Sequence, residues 1–319
     1  MNFHLEFSIP SFPEKIAYPD RCLFIGSCFA ENIGGLMKRN KFNVLENPNG
    51  ILYDPFSIAN ALRRYMRGEN MKAEELFFAN DSWHSWEHHS RFSGPAKESC
   101  LADINSAVAA AHDQLKHAQW LFITFGSAYY YTKEGKPVAN CHKVPQKEFS
   151  KNLAESAEVV KTYQLLFEEL DAFNKDLKIV LTLSPVRYVR DGVVENNLSK
   201  ARLLDALHRL KSDRVFYFPA YELVIDDLRD YRFYKEDLVH PNEQAIQYVF
   251  EKFKEAAFEK EALTLSEKIN ELLKAKEHRP FHPDAESHKK FKAAYYLRCL
   301  ELKKQFPFLE LDEELACFS

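Results

Sequence analysis

The residues in this chain best suited to catalysis are a serine and a cysteine that follow an apolar run, and an aspartate three residues before a histidine. In "LFIGSCFAENIGG" (residues 23–35), Leu23, Phe24 and Ile25 read as a buried strand, and a helix can begin at Phe29. Ser27 and Cys28 stand between them. A serine at such a turn caps the helix by accepting a free backbone N–H. It becomes a nucleophile when a base lies within reach and helix N-terminal N–H groups face the developing oxyanion. Cys28 is the rival, because a helix N-terminus lowers a thiol pKa; a small buried residue is the reading we favour for it. In "DLVHPN", Asp237 and His240 precede Pro241, which suits the first turn of a helix. The carboxylate can accept a hydrogen bond from the imidazole there, fixing the tautomer and leaving the other ring nitrogen as a general base. The plainer alternative is a helix-start aspartate beside an exposed histidine.

Other groupings are weaker. "NCHK" combines Asn140, Cys141, His142 and Lys143. Adjacent side chains on an extended segment face opposite ways, so a polar rim is expected rather than a Cys–His pair. "HSWEHH" would align His84 and His88 as a metal pair on a helix, but its flanking Trp and Ser residues favour a strand. No metal is expected at either place. Arg187 in "SPVR" can hold a substrate carboxylate in a bidentate fashion or pair with a nearby acid, and the second is favoured. The tyrosines of "YYY" (129–131) invite a sugar-stacking role, although most of the rings in the chain lie in apolar runs that read as core.

Composition narrows the classes. The 319 residues include 43 Lys and Arg against 47 Asp and Glu, a formal charge of −4 that offers nothing to attract nucleic acid or an anionic membrane. Hydrophobic residues make up 46%, enough for a substantial core. No stretch approaches the roughly 20 apolar residues of a membrane helix, and the N-terminus "MNFHLEFSIPSFPEK" lacks a secretory pattern. The six cysteines (Cys22, Cys28, Cys100, Cys141, Cys299 and Cys317) are scattered. They read as reduced thiols in a cytoplasmic protein.

Five short runs must supply the scaffold: "CLFIG" (22–26), "FNVL" (42–45), "WLFITF" (120–125), "KIVLTLS" (178–184) and "RVFYF" (214–218). Most are continuously apolar, as in strands covered on both faces. Helical patterns at 29–39, 57–67, 100–118, 150–175, 197–211 and 242–258 alternate with them, predicting parallel strands in a three-layer α/β sandwich. Residues 46–99 read as an insertion with a short helix and an aromatic hairpin turning at "AND". From about 259 the chain becomes charged and helical, an arm that packs on the core or dimerises. Two units are therefore expected: an α/β domain over 1–258 and a helical C-terminal extension over 259–319. "GSC", "GSAYYY" and "SPVRY" all fall at strand carboxyl ends, where such sheets bind ligands.

Taken together, these pieces resemble the SGNH, or GDSL-like, hydrolases, and "GSCFA" (26–30) is similar to the motif that names the GSCFA family. "NPNGILYDP", "HSWEHHSRFS", "NCHK", "SPVR" and "LRDYRFYKEDLVHP" are similar to family segments, and the resemblance runs from about residue 2 to 305. It implies a flavodoxin-like parallel sheet of order 2-1-3-4-5. It implies a serine esterase or acyltransferase with Ser27 as nucleophile, His240 as base and Asp237 orienting that base, working without a cofactor. A small-molecule or carbohydrate ester would be the substrate. The oxyanion hole would draw on the N–H groups of Ser27 and Gly50. The wider group adds an Asn in a G-x-N after its third strand, but here Gly126 is followed by Ser127 and Ala128. Asn140 is the preferred substitute and Ser127 the next; Ser127, His142 and Arg187 are also candidate substrate contacts. A non-catalytic binding module on the same fold is the alternative.

Overall fold

The computed structural model describes residues 7–319, so the first six residues of the expected α/β domain lie outside it. Five parallel strands form the central sheet: β1 (Arg21–Gly26), β2 (Asn43–Glu46), β3 (Trp120–Phe125), β4 (Lys178–Leu183) and β5 (Val215–Tyr217). Their spatial order is β2-β1-β3-β4-β5. The alternation of side chains along each strand divides the core into two. Leu23 and Ile25 of β1 and Leu121 and Ile123 of β3 face one way. They meet α2 (Pro55–Arg67), α3 (Lys97–His117), α4 (Ser156–Phe173) and α5 (Val193–Arg209). Phe24 and Phe122 face the other way, stacked at 4.1 Å between ring centroids. They are covered by α1 (Cys28–Arg39) and α6 (Glu243–Ala257). Strands buried on both faces need continuous apolar runs, the pattern the sequence carries.

The C-terminal helices α7 (Lys260–Glu277), α8 (Glu286–Gln305) and α9 (Asp312–Phe318) extend this second core through Leu265, Ile269, Leu272, Cys299, Leu302 and Phe318. Glu314, 1% exposed, is held there between Lys41 at 2.9 Å and Lys276 at 3.2 Å. Within residues 46–99, α2 is a covering helix of the main sheet; Leu62 and Tyr65 are fully buried in its core. The aromatic hairpin pairs Leu76–Ala79 with Ser82–Ser85, and Asn80 and Asp81 take the left-handed backbone of a type I′ turn.

One expected element is corrected. Residues 150–153 do not open a helix: Ser150–Leu153 is a strand, paired with Tyr129–Lys133, which pairs in turn with Lys136–Val138. Helix α4 starts only at Ser156. Main-chain pairing over "YYYTK" outweighs the local helical pattern, and Lys151 rests over the Tyr129 ring. All six cysteines are free. Among the described residues, no helix is long and apolar enough to cross a membrane.

Candidate functional site

A cavity of 830 Å³ opens at the carboxyl ends of β1, β3 and β4, a size suited to a small organic ligand. Ser27, Gly126, Ser127 and Ser184 line its floor at the strand ends, and Asn140, His142, Arg187 and His240 line its walls. Ser27 is 1% exposed and caps α1, its Oγ accepting the Phe29 N–H at 3.3 Å. Gly26 before it is obligatory. Its φ of +134° is costly for any other residue, and a Cβ there would fall on the Thr124 carbonyl oxygen of β3.

Asp237 and His240 do not sit in the first turn of a helix. They occupy a loop before α6, which starts at Glu243 with Asn242 as its cap. Asp237 shapes this loop through one oxygen, Oδ1, which accepts the N–H groups of Val239 at 2.9 Å and His240 at 3.0 Å. Its other oxygen accepts from His240 Nδ1 at 2.7 Å. The bond from the His240 backbone, then those from Val239 and the imidazole, lower the Asp237 carboxyl to about 2. It is a carboxylate at neutral pH, so it holds the proton on Nδ1, and in the neutral imidazole the lone pair lies on Nε2. Ser27 and His240 line the same cavity without a hydrogen bond between them.

The backbone donors expected for an oxyanion hole are engaged elsewhere. The Ser27 N–H continues the β1–β3 ladder to Thr124 O at 3.1 Å. The Gly50 N–H closes a turn onto Asn47 O at 2.7 Å, and Gly50 does not line the cavity. Its left-handed backbone, φ +76°, serves a close approach: a Cβ there would meet His89, whose side chain does line the cavity. Asn140 lines the cavity with Oδ1 accepting the His142 N–H at 2.9 Å, and its Nδ2 donates to no group among the described residues. Ser127 Oγ accepts from Tyr129 N at 3.0 Å and lies 3.3 Å from Ser199 Oγ.

Residues 140–143 form a turn rather than an extended rim, with His142 and Lys143 left-handed. Cys28 is half-buried, and burial, with Glu31 nearby, pushes its thiol up rather than down. That opposes the thiolate a cysteine nucleophile needs. His84 is saturated: Nε2 donates to Ala79 O at 2.9 Å and Nδ1 accepts from Ser93 Oγ at 2.7 Å. His88 is buried on Ser85 Oγ at 2.9 Å. No cluster of His, Cys, Asp or Glu among the described residues has the arrangement of a metal site.

The family model described as the GSCFA family matches residues 21–253. The chain belongs to the GSCFA family. A second model, described as the C-terminal domain of GSCFA domain proteins, matches residues 269–319. No curated protein matches the chain.

In this GSCFA chain the signature glycine and serine thus have distinct physical roles, close strand approach for Gly26 and helix capping at the cavity floor for Ser27. Sequence reasoning passed over Lys200. It is 2% exposed, and its ammonium donates to Gly126 O and Ser184 O, both at 2.7 Å, joining the two strand ends under the cavity. Burial lowers its pKa to about 7. A signal existed: Asn196, Ser199, Lys200 and Leu203 recur at helical spacing on the buried face of α5, where a lysine without a partner would be costly.

Proposed function

We propose that the chain is a serine-dependent hydrolase or acyltransferase acting on an acyl ester. One observation carries the reading: Ser27 and His240, distant in sequence, line one cavity, and Asp237 accepts a hydrogen bond from His240 Nδ1 at 2.7 Å. Ser27 Oγ attacks the acyl carbonyl and passes its proton to His240 Nε2. The alkoxide leaves with that proton, and water or an acceptor hydroxyl then releases the acyl group by the reverse transfer. Asn140 Nδ2 is the donor offered to the oxyanion. The resemblance to SGNH hydrolases assigns the same roles, with no cofactor. The proposed substrate is a small-molecule or carbohydrate ester, and the proposed compartment the cytoplasm.

A fluorophosphonate probe with mass mapping tests the reading. Ser27 should be the labelled residue; Ser27→Ala should lose label and esterase activity together, and Cys28→Ser should keep both. Label on Cys28 instead would move the nucleophile. The engaged N–H groups of Ser27 and Gly50 favour one alternative, a non-catalytic binding module on this fold. Absence of any label and of any ester cleavage would make that the better account.

A further inference from the structure

The cavity that holds Ser27 and His240 is strongly one-sided in charge. Lys143, Arg187 and Arg190 line it, and Asp54 is the only acidic lining residue among the described residues. Asp54 does not oppose them: it is buried, and its Oδ1 accepts the first N–H groups of α2, from Phe56 at 3.0 Å and Ser57 at 2.8 Å. Of the acids beside the cavity, Asp191 pairs with Lys151 and Asp237 with His240, while Glu31 lies outside the lining, near Cys28 and Tyr53. None of the three cations has a carboxylate partner among the described residues. Arg187 is instead laid over two rings, 4.4 Å from the Tyr234 centroid and 5.3 Å from that of Tyr231. This cation–π contact places the guanidinium at the cavity without neutralising its charge. The Arg187 backbone N–H donates to Val239 O at 3.2 Å, which ties the residue to the loop of His240.

An electropositive, aromatic-walled cavity of this kind concentrates anions and orients them by charge-assisted hydrogen bonds. We infer that the substrate is an ester carrying a second, anionic group, a carboxylate, which Arg187 and Arg190 hold while the ester carbonyl meets Ser27. The inference names the substrate class of the site proposed above and so rests on that reading. It also separates the two possibilities left open for Arg187: the guanidinium is reserved for a ligand rather than spent on a protein acid.

Two matched ester pairs test it: 4-acetoxybenzoate against its methyl ester, and 4-nitrophenyl hydrogen glutarate against 4-nitrophenyl pentanoate. They place the anion on the alcohol or the acyl side. In at least one pair kcat/KM should favour the anion by roughly ten- to a hundredfold, and the ratio should collapse toward unity in Arg187→Gln/Arg190→Gln. Arg187→Gln alone gives the same readout should the double variant fold poorly. Equal or lower kcat/KM for the anion in both pairs, or an unchanged ratio in the variants, would overturn the inference and leave the hydrolase reading standing. Calorimetry of 4-hydroxybenzoate with Ser27→Ala is independent of turnover. Binding that is lost on adding the arginine substitutions, in a protein whose wild type cleaves none of the esters, would keep the anion site and overturn the hydrolase. Absence of both binding and cleavage overturns the two together.

Discussion

Acidification should weaken this fold through two particular histidines. His88 is fully buried, and burial, assisted by Arg64, His142 and Arg91, lowers its pKa to about 3. Burial likewise lowers His142 to about 4, against the pull of its bond to Ser85 O, where Nε2 donates at 2.8 Å. Both rings are neutral when folded, whereas in the unfolded chain each takes a proton near pH 6.5. Their contribution is therefore complete above pH 6.5 and is lost as pH falls, until the folded rings themselves charge near 4 and 3. At pH 5 the unfolded rings are about 1.5 pH units below their midpoint, which at about 1.4 kcal/mol per unit costs about 2 kcal/mol each and about 4 kcal/mol together. Urea unfolding at pH 7.5 and pH 5.0 measures the loss. The comparison is with His88→Asn/His142→Gln, since Asn mimics the Nδ1 that meets Ser85 Oγ and Gln the Nε2 that meets Ser85 O. The wild type should lose about 4 kcal/mol more than the double variant over this interval. Equal losses would refute the assignment of these rings as neutral and buried. Because Asn80 also donates to His142 O at 3.0 Å and Ala139 to Trp86 O at 2.8 Å, the same acidification should loosen the cavity wall that carries Asn140.

Three further outcomes follow from the strand ends. Lys200 is held near 7 by burial, below the ordinary 10.5, so the fold binds fewer protons than the unfolded chain between those values and gains stability as pH rises. Between pH 7.5 and 9 the gain is about 2 kcal/mol, and Lys200→Met should abolish it; a variant with the same pH slope in urea unfolding would contradict the assignment. Gly26→Ala should destabilise by roughly 3 kcal/mol or more, because the methyl group meets main chain and the backbone angle is unfavourable together; a thermal midpoint unchanged from wild type would show that the strands can part. On an ester whose cleavage depends on Ser27, Asn140→Ala should lower kcat by about a hundred- to a thousandfold. Turnover that does not change would pass the donor role to Ser127.

Much of the scaffold was readable because its physical causes are local. "CLFIG", "WLFITF" and "KIVLTL" are apolar without interruption, and only strands covered on both faces need that composition. Alternation with helices then leaves parallel crossover connections as the simple solution. "AND" turned the hairpin because Asn and Asp tolerate the left-handed backbone. Less local signals were misread. Pro241 did mark an approaching helix, but Asn242 has the side chain that caps it, accepting from Ala245 N at 3.1 Å, so the Asp–His pair falls in the preceding loop. "SKNL" contains nothing that announces a strand; only the partner Tyr129–Lys133 makes it one.

By itself, the sequence determined most of the strands and helices, and the presence of a serine after the first strand and an aspartate–histidine pair after the fifth. These follow from periodicity and from the chemistry of single residues. Tertiary structure alone decided which polar groups remain available. The Ser27 N–H went to Thr124 of the neighbouring strand, while Asn140 Nδ2 was left without a partner among the described residues. It also decided that Arg187 faces the cavity against tyrosine rings. A formal charge of −4 over the whole chain therefore coexists with a cationic cavity. Each hydrogen-bonding group has a limited number of partners, and contacts between residues far apart in the chain allocate them. No local pattern records that allocation.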